Sequence, residues 1–86
     1  MMKGMDVDAG KTASQQITAG SQELDQLTQK MTQVIEGFQW IGPDADRTRD
    51  SWKSDYVTML TRVSQSLQEF STLINNQAQE QEQVSN

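Results

Sequence analysis

Residues 40–46, Trp40-Ile41-Gly42-Pro43-Asp44-Ala45-Asp46, hold the only proline of the chain, and the fold follows from how they are read. Proline suits the first turn of a helix, where its missing N–H had no partner to lose, and the glycine before it lets the backbone reverse direction. Asp44 and Asp46 then fall in a first helical turn, where carboxylates accept unpaired backbone N–H groups and face the positive end of the helix dipole. One helix ends here and another begins. A connection of only a few residues forces the two to run antiparallel.

Upstream of the turn, positions 13, 17, 20, 24, 27, 31, 34 and 38 step by alternating fours and threes and read Ala, Ile, Gly, Leu, Leu, Met, Val, Phe. Only Ala19 and Ile35 are apolar off this stripe between Ala13 and Phe38, a spacing that makes one helix face and forbids strand alternation. The start of this helix is expected between Asp8, an early cap, and Ser14, with Thr12 and Gln15 as a candidate capping box. Gly20 and Gly37 each cost about 1 kcal/mol relative to alanine inside a helix. Either one admits a close neighbour, or Gly37 marks where the helix loosens.

Downstream, Ala45, Trp52, Tyr56, Met59, Leu60, Val63, Leu67, Phe70, Leu73 and Ile74 recur at close to the helical period. With Val57 and the adjacent pairs 59/60 and 73/74 this stripe is wider than a two-stranded seam, which points to more than one neighbour and hence to a bundle. The expected layout is one helical-hairpin domain over residues 1–86: helix one over about 10–38, the turn over about 39–43, helix two over about 44–78 and a polar, acidic tail over about 79–86. Helices of roughly 28 to 32 residues make a rod about 40 to 50 Å long. The surfaces away from the stripes are rich in glutamine, serine and threonine. They read as neutral helix faces without the opposed charges that commonly set coiled-coil pairing, which leaves partner choice to apolar shape.

Composition limits the function classes. The chain has 86 residues, 34% of them hydrophobic, no cysteine, no histidine and a net charge of −5. Ordering a chain this short costs about 1.5 kcal/mol per residue, and its apolar burial at about 25 cal/mol/Å² barely offsets that, so a dimer or larger assembly is expected. A pI near 4.4 argues against partners held through phosphates, nucleic acid above all, and against anionic lipid surfaces. No run approaches the ~18 apolar residues of a membrane span. Met1 to Lys11 has charges and glycines where a signal peptide needs an apolar stretch, so a route other than the general secretory one is expected.

With Trp40 and Gly42 between two amphipathic helices in a chain of this length, the sequence resembles the WXG family of small, early-secreted-antigen-like substrates of type VII (ESX) secretion systems. The string Trp40-Ile41-Gly42-Pro43-Asp44-Ala45-Asp46-Arg47, followed by Trp52, is similar to the version found in actinobacterial members, and the resemblance extends over nearly the whole chain. It implies an all-α helix-turn-helix hairpin that pairs antiparallel with its own copy or a paralogue into a four-helix bundle. It also implies export of the folded pair, as a secreted substrate or export partner, by a membrane-bound ATPase-driven machine. In that family a Tyr-x-x-x-Asp/Glu signal follows helix two, and the partner's WXG turn completes a composite recognition surface. Here the sequence departs: its only tyrosine, Tyr56, lies inside helix two, and Tyr56-Val57-Thr58-Met59-Leu60 does not fit. The resemblance then implies an export signal borrowed from a partner, or a divergent tail.

The motif residues are therefore Trp40, Gly42 and Pro43, with Trp40 also readable as no more than a hydrophobic plug over the hairpin end. Residues expected at the dimer or hairpin interface are Ile17, Leu24, Leu27, Met31, Val34, Phe38, Trp52, Tyr56, Met59, Leu60, Val63, Leu67, Phe70 and Ile74. The spacing does not divide them between contacts within the chain and contacts across chains. The cluster Asp44–Asp50 fails as a calcium loop, because Thr48 and Arg49 stand where a ligand and a glycine are needed and Asp55 where glutamate is needed. It fails as acid/base machinery because a hairpin this small offers no pocket. Without histidine or cysteine, no zinc site or familiar nucleophile triad can be built, so neither an enzyme nor a cofactor is expected. Two rivals use the same physics: a cytoplasmic helical adaptor or assembly subunit that is never exported, and a membrane-active helical toxin. The second is disfavoured by the net negative charge and the few lysines on the polar faces.

Overall fold

A computed structural model describes residues 4–85. Asn86, the last residue of the expected tail, and Met1, Met2 and Lys3 of the amino-terminal stretch lie outside that range. The described residues form two long helical arms packed antiparallel, with no strand among them. Helix α1 spans Val7–Gly37. The second arm is continuous but has three parts: α2 over Pro43–Ser51, a π-helical turn over Trp52–Tyr56, and α3 over Val57–Ser85. The rod measures 65 × 17 × 13 Å, longer than the 40 to 50 Å expected, because the second arm sums 9, 5 and 29 residues and does not end near residue 78.

Both differences in boundary have local causes. Helix α1 starts before Asp8 because Asp6 is its cap, its carboxylate accepting the Ala9 N–H at 3.1 Å. The last turns of α3 are held by this same start of α1. Ala78 is fully buried and faces Gly10, where an added Cβ would stand 3.4 Å from the Ala78 methyl, and Lys11 Nζ meets Glu82 Oε2 at 2.6 Å. The residues expected as tail are therefore helical through Ser85.

The seam between the arms is not made by the large apolar stripe. Buried along it are Gly10, Ser14 and Ser21 from α1, and Ser64, Ser71 and Ala78 from α3. Ser14 and Ser21, and likewise Ser64, Ser71 and Ala78, recur every seven residues, the repeat that keeps one line of a helix against a partner. The serines, which lie off the apolar stripes, bury without penalty because every hydroxyl is paired. Ser14 Oγ donates to Ser71 O at 2.9 Å, Ser71 Oγ to Ser14 O at 2.7 Å, and Ser64 Oγ to Ser21 O at 3.2 Å. Thr18 Oγ1 lies 2.6 Å from Ser71 Oγ. No buried side-chain oxygen or nitrogen among the described residues lacks a partner.

Gly20, by contrast, borders open space, since a Cβ there would meet nothing within 4 Å. The glycine that admits a close neighbour is Gly10, where an added Cβ would overlap the Met5 side chain. Gly37 is the last residue of α1, also facing open space.

Candidate interaction surface

With small residues in the seam, the large apolar side chains turn elsewhere. In α1 Ile17 and Leu24 lie three or four residues from the seam serines, Met31 continues their line seven residues past Leu24, and Leu27 and Val34 lie beside that line. In α3 Leu60, Leu67 and Ile74 stand at the same offset from Ser64, Ser71 and Ala78, and Val63 and Phe70 beside them. Equal offsets on antiparallel helices lead to the same side of the pair, so the two stripes merge into one apolar side. The opposite side carries polar positions such as Lys11, Thr18, Asp25, Gln68 and Glu82.

Ile17, Leu24, Met31, Leu60, Leu67 and Ile74 are half-buried within the single chain, whereas Leu27 and Phe70 stay 52% and 54% exposed, with Val34, Met59, Val63 and Leu73 similar. A shallow groove of about 820 Å³ runs along α3 between Met59, Val63, Leu67 and Phe70, rimmed by Asp55 and Arg62. The chain exposes 6505 Å². A compact protein of 9.7 kDa exposes about 5,100 Å². The excess, about 1,400 Å², exceeds the ~800 Å² that each partner contributes to a stable protein–protein interface.

At one end of the rod stands the turn. Phe38 leaves α1 with extended backbone, φ −89° and ψ 154°, and Gly42 precedes α2 with φ +131° and ψ 172°. That φ lies in the region side chains avoid, so glycine at position 42 is a backbone requirement. Pro43 occupies the first turn of α2 with Asp44 and Asp46, and the Asp46 N–H donates to Gly42 O at 3.1 Å. Asp44 pairs with Arg47. Arg49, one turn further on, reaches back across the turn. Its Nε donates to Ile35 O at 2.9 Å, its Nη1 to Trp40 O at 2.8 Å and its Nη2 to Phe38 O at 2.8 Å. The rings of Phe38 and Trp40 stack at 5.7 Å and 14°, with the guanidinium carbon 5.4 and 5.7 Å from their centroids.

Behind the turn, the half-buried Trp52 donates its indole N–H to Thr32 Oγ1 at 2.8 Å and stacks on Tyr56 at 5.9 Å. The π-helical turn between these two aromatics is closed by the Val57 N–H donating to Trp52 O. Ile35, Phe38, Trp40, Trp52 and Tyr56 line an open cleft of about 430 Å³. Trp40 is half-buried and Ile41 86% exposed, so the motif sits at the tip of the rod, away from the seam.

The structure thus brings Trp40, Gly42 and Pro43 together with Phe38, Trp52 and Tyr56 at one end, and spreads the other expected interface residues along one side. Arg49 and the seam serines escaped sequence reading. Arg49 acts on backbone carbonyls, which leave no trace in sequence, whereas the seven-residue recurrence of small residues was available as a signal. Among the described residues, no helix is long and apolar enough to cross a membrane. No family model matches the chain, and neither a curated protein nor a solved structure shows significant similarity to it.

Proposed function

We propose that this protein is a substrate or export partner of a type VII (ESX) secretion system. A second hairpin, its own copy or a related chain, covers the apolar side to complete a four-helix bundle, and the machine's ATPase recognises and exports the folded pair. The observation that supports this reading best is the division of labour along the rod. Small hydroxyl residues close the hairpin, large apolar residues line one uncovered side, and the Trp40–Gly42 motif is displayed at the tip. A hairpin with this layout has an incomplete core by itself and a complete one when paired. The acidic composition agrees with a role in protein–protein recognition.

The test is location. Expressed in a bacterium carrying a type VII system, the chain is expected in the medium, and its disappearance from the medium is expected when the ATPase of that system is deleted. Trp40→Ala is expected to impair export more than it impairs helix content. Retention in cell lysate in both strains would refute the reading and favour a cytoplasmic helical adaptor.

A further inference from the structure

The connection between the arms is nearly free of backbone fastening. Between the end of α1 at Gly37 and the Asp46 N–H donation to Gly42 O, no backbone–backbone hydrogen bond ties residues 38–41 among the described residues. The last turn of α1 carries no basic residue of its own to meet the negative end of the helix dipole. Both needs are met by one side chain: the Arg49 guanidinium, which donates to the carbonyls of Ile35, Phe38 and Trp40 while lying against the Phe38 and Trp40 rings.

We infer that Arg49 is a positioning residue for the motif. By binding one carbonyl in the last turn of α1 and two in the connection, it locks the backbone at Trp40 and sets the pose in which the Trp40 ring is displayed. This role rests on the proposed export reading, because only a recognised turn needs a set pose. The other candidate fasteners do different work. Gly42 permits the reversal and Pro43 starts α2, but neither touches residues 38–40 through a hydrogen bond. The Asp44–Arg47 pair stays within α2. A planar fork with donors in fixed directions satisfies three carbonyls at once, which the single flexible ammonium of lysine does not, so retained charge alone does not replace it.

The experiment uses the full chain with Arg49→Lys and Arg49→Gln. Backbone amide order parameters are measured by NMR, with helix content by circular dichroism on the same samples and export from a type VII-competent strain. In the parent, order at Phe38–Ile41 is expected at the rigid value of about 0.85, falling below about 0.6 in both variants. The Trp52 indole, held by Thr32, and the amides along the seam are expected to stay unchanged, which separates positioning from general loss of structure. Export of both variants is expected to drop by about tenfold or more, the factor that goes with losing charge-assisted hydrogen bonds. A turn that stays ordered in Arg49→Lys overturns the inference whatever export does. A loosened turn with normal export also overturns it when Trp40→Ala abolishes export. If Trp40→Ala is exported normally as well, the recognition reading itself fails, and the role inferred for Arg49 fails with it.

Discussion

Replacing Ser21 by leucine puts a large side chain into the seam at a position with no exposed surface. The Ser21 hydroxyl donates to Thr18 O at 2.8 Å, and its own carbonyl accepts from Ser64 Oγ at 3.2 Å, so the facing helix is close against it. Overpacking a fitted site costs about 1–3 kcal/mol, and the lost hydroxyl contact adds about 1 kcal/mol. The expected loss is therefore about 2–4 kcal/mol, a large share of the ~4–13 kcal/mol typical for a chain of this length. Leu27→Ala removes a larger apolar group but from a side chain 52% exposed in the single chain. Roughly half of the ~1.5–3 kcal/mol of a fully buried leucine is at stake there, about 0.7–1.5 kcal/mol, without a cavity. Adding a hydrophobic side chain thus harms the hairpin more than deleting one. Urea denaturation followed by helical circular dichroism measures both, at concentrations where light scattering shows a single chain. At concentrations where chains pair, the Leu27→Ala cost is expected to rise toward about 2–5 kcal/mol. A Ser21→Leu cost below about 0.5 kcal/mol, the range of ordinary surface substitutions, would refute the close-packed seam. A Leu27→Ala cost independent of concentration would refute the uncovered apolar side.

Other consequences are checked more simply. Gly42→Ala forces a side chain to φ +131° in open space, so its cost is pure backbone strain, about 1–3 kcal/mol, read as a fall in denaturation midpoint. Thr32→Val removes the acceptor of the Trp52 indole N–H and is expected to cost about 0.5–1.5 kcal/mol while changing Trp52 fluorescence. Lys11 is held above its ordinary value of 10.5 by its hydrogen bond to Glu82, and Lys53 likewise by Glu36. A raised folded value means that these contacts contribute fully below the unfolded value and are lost as pH rises through the folded one. Loosening of the contact between the α1 start and the α3 end is therefore expected only above pH 10.5, followed by helical circular dichroism.

The elements that announce themselves through large residues or through backbone chemistry were legible. Pro43, Gly42 and the two aspartates marked the turn, and the stripes from Ala13 to Phe38 and from Ala45 to Ile74 marked two amphipathic arms. What the stripes concealed was their destination. Hydrophobic periodicity counts large apolar side chains and passes over serine, so Ser14, Ser21, Ser64 and Ser71 drop out of it although their paired hydroxyls let two helices approach closely. Ala78, seven residues past Ser71, continues that line, which is why the arm runs on through a stretch that looks like a polar tail. The π-helical turn between Trp52 and Tyr56 leaves no mark on the apolar spacing, and Trp52 within it reaches Thr32 of the other arm. Arg49 likewise looks like one charge in a mixed cluster until the carbonyls it holds are seen.

The mass of the purified chain in solution, by light scattering after size exclusion with circular dichroism on the same fractions, decides whether the apolar side is an interface. A helical species at about twice the 9.7 kDa chain mass is expected, dissociating on dilution and on Leu27→Ala. A helical, soluble species that remains at the mass of one chain at high concentration would contradict the account, since a side built to be covered would then be stable bare.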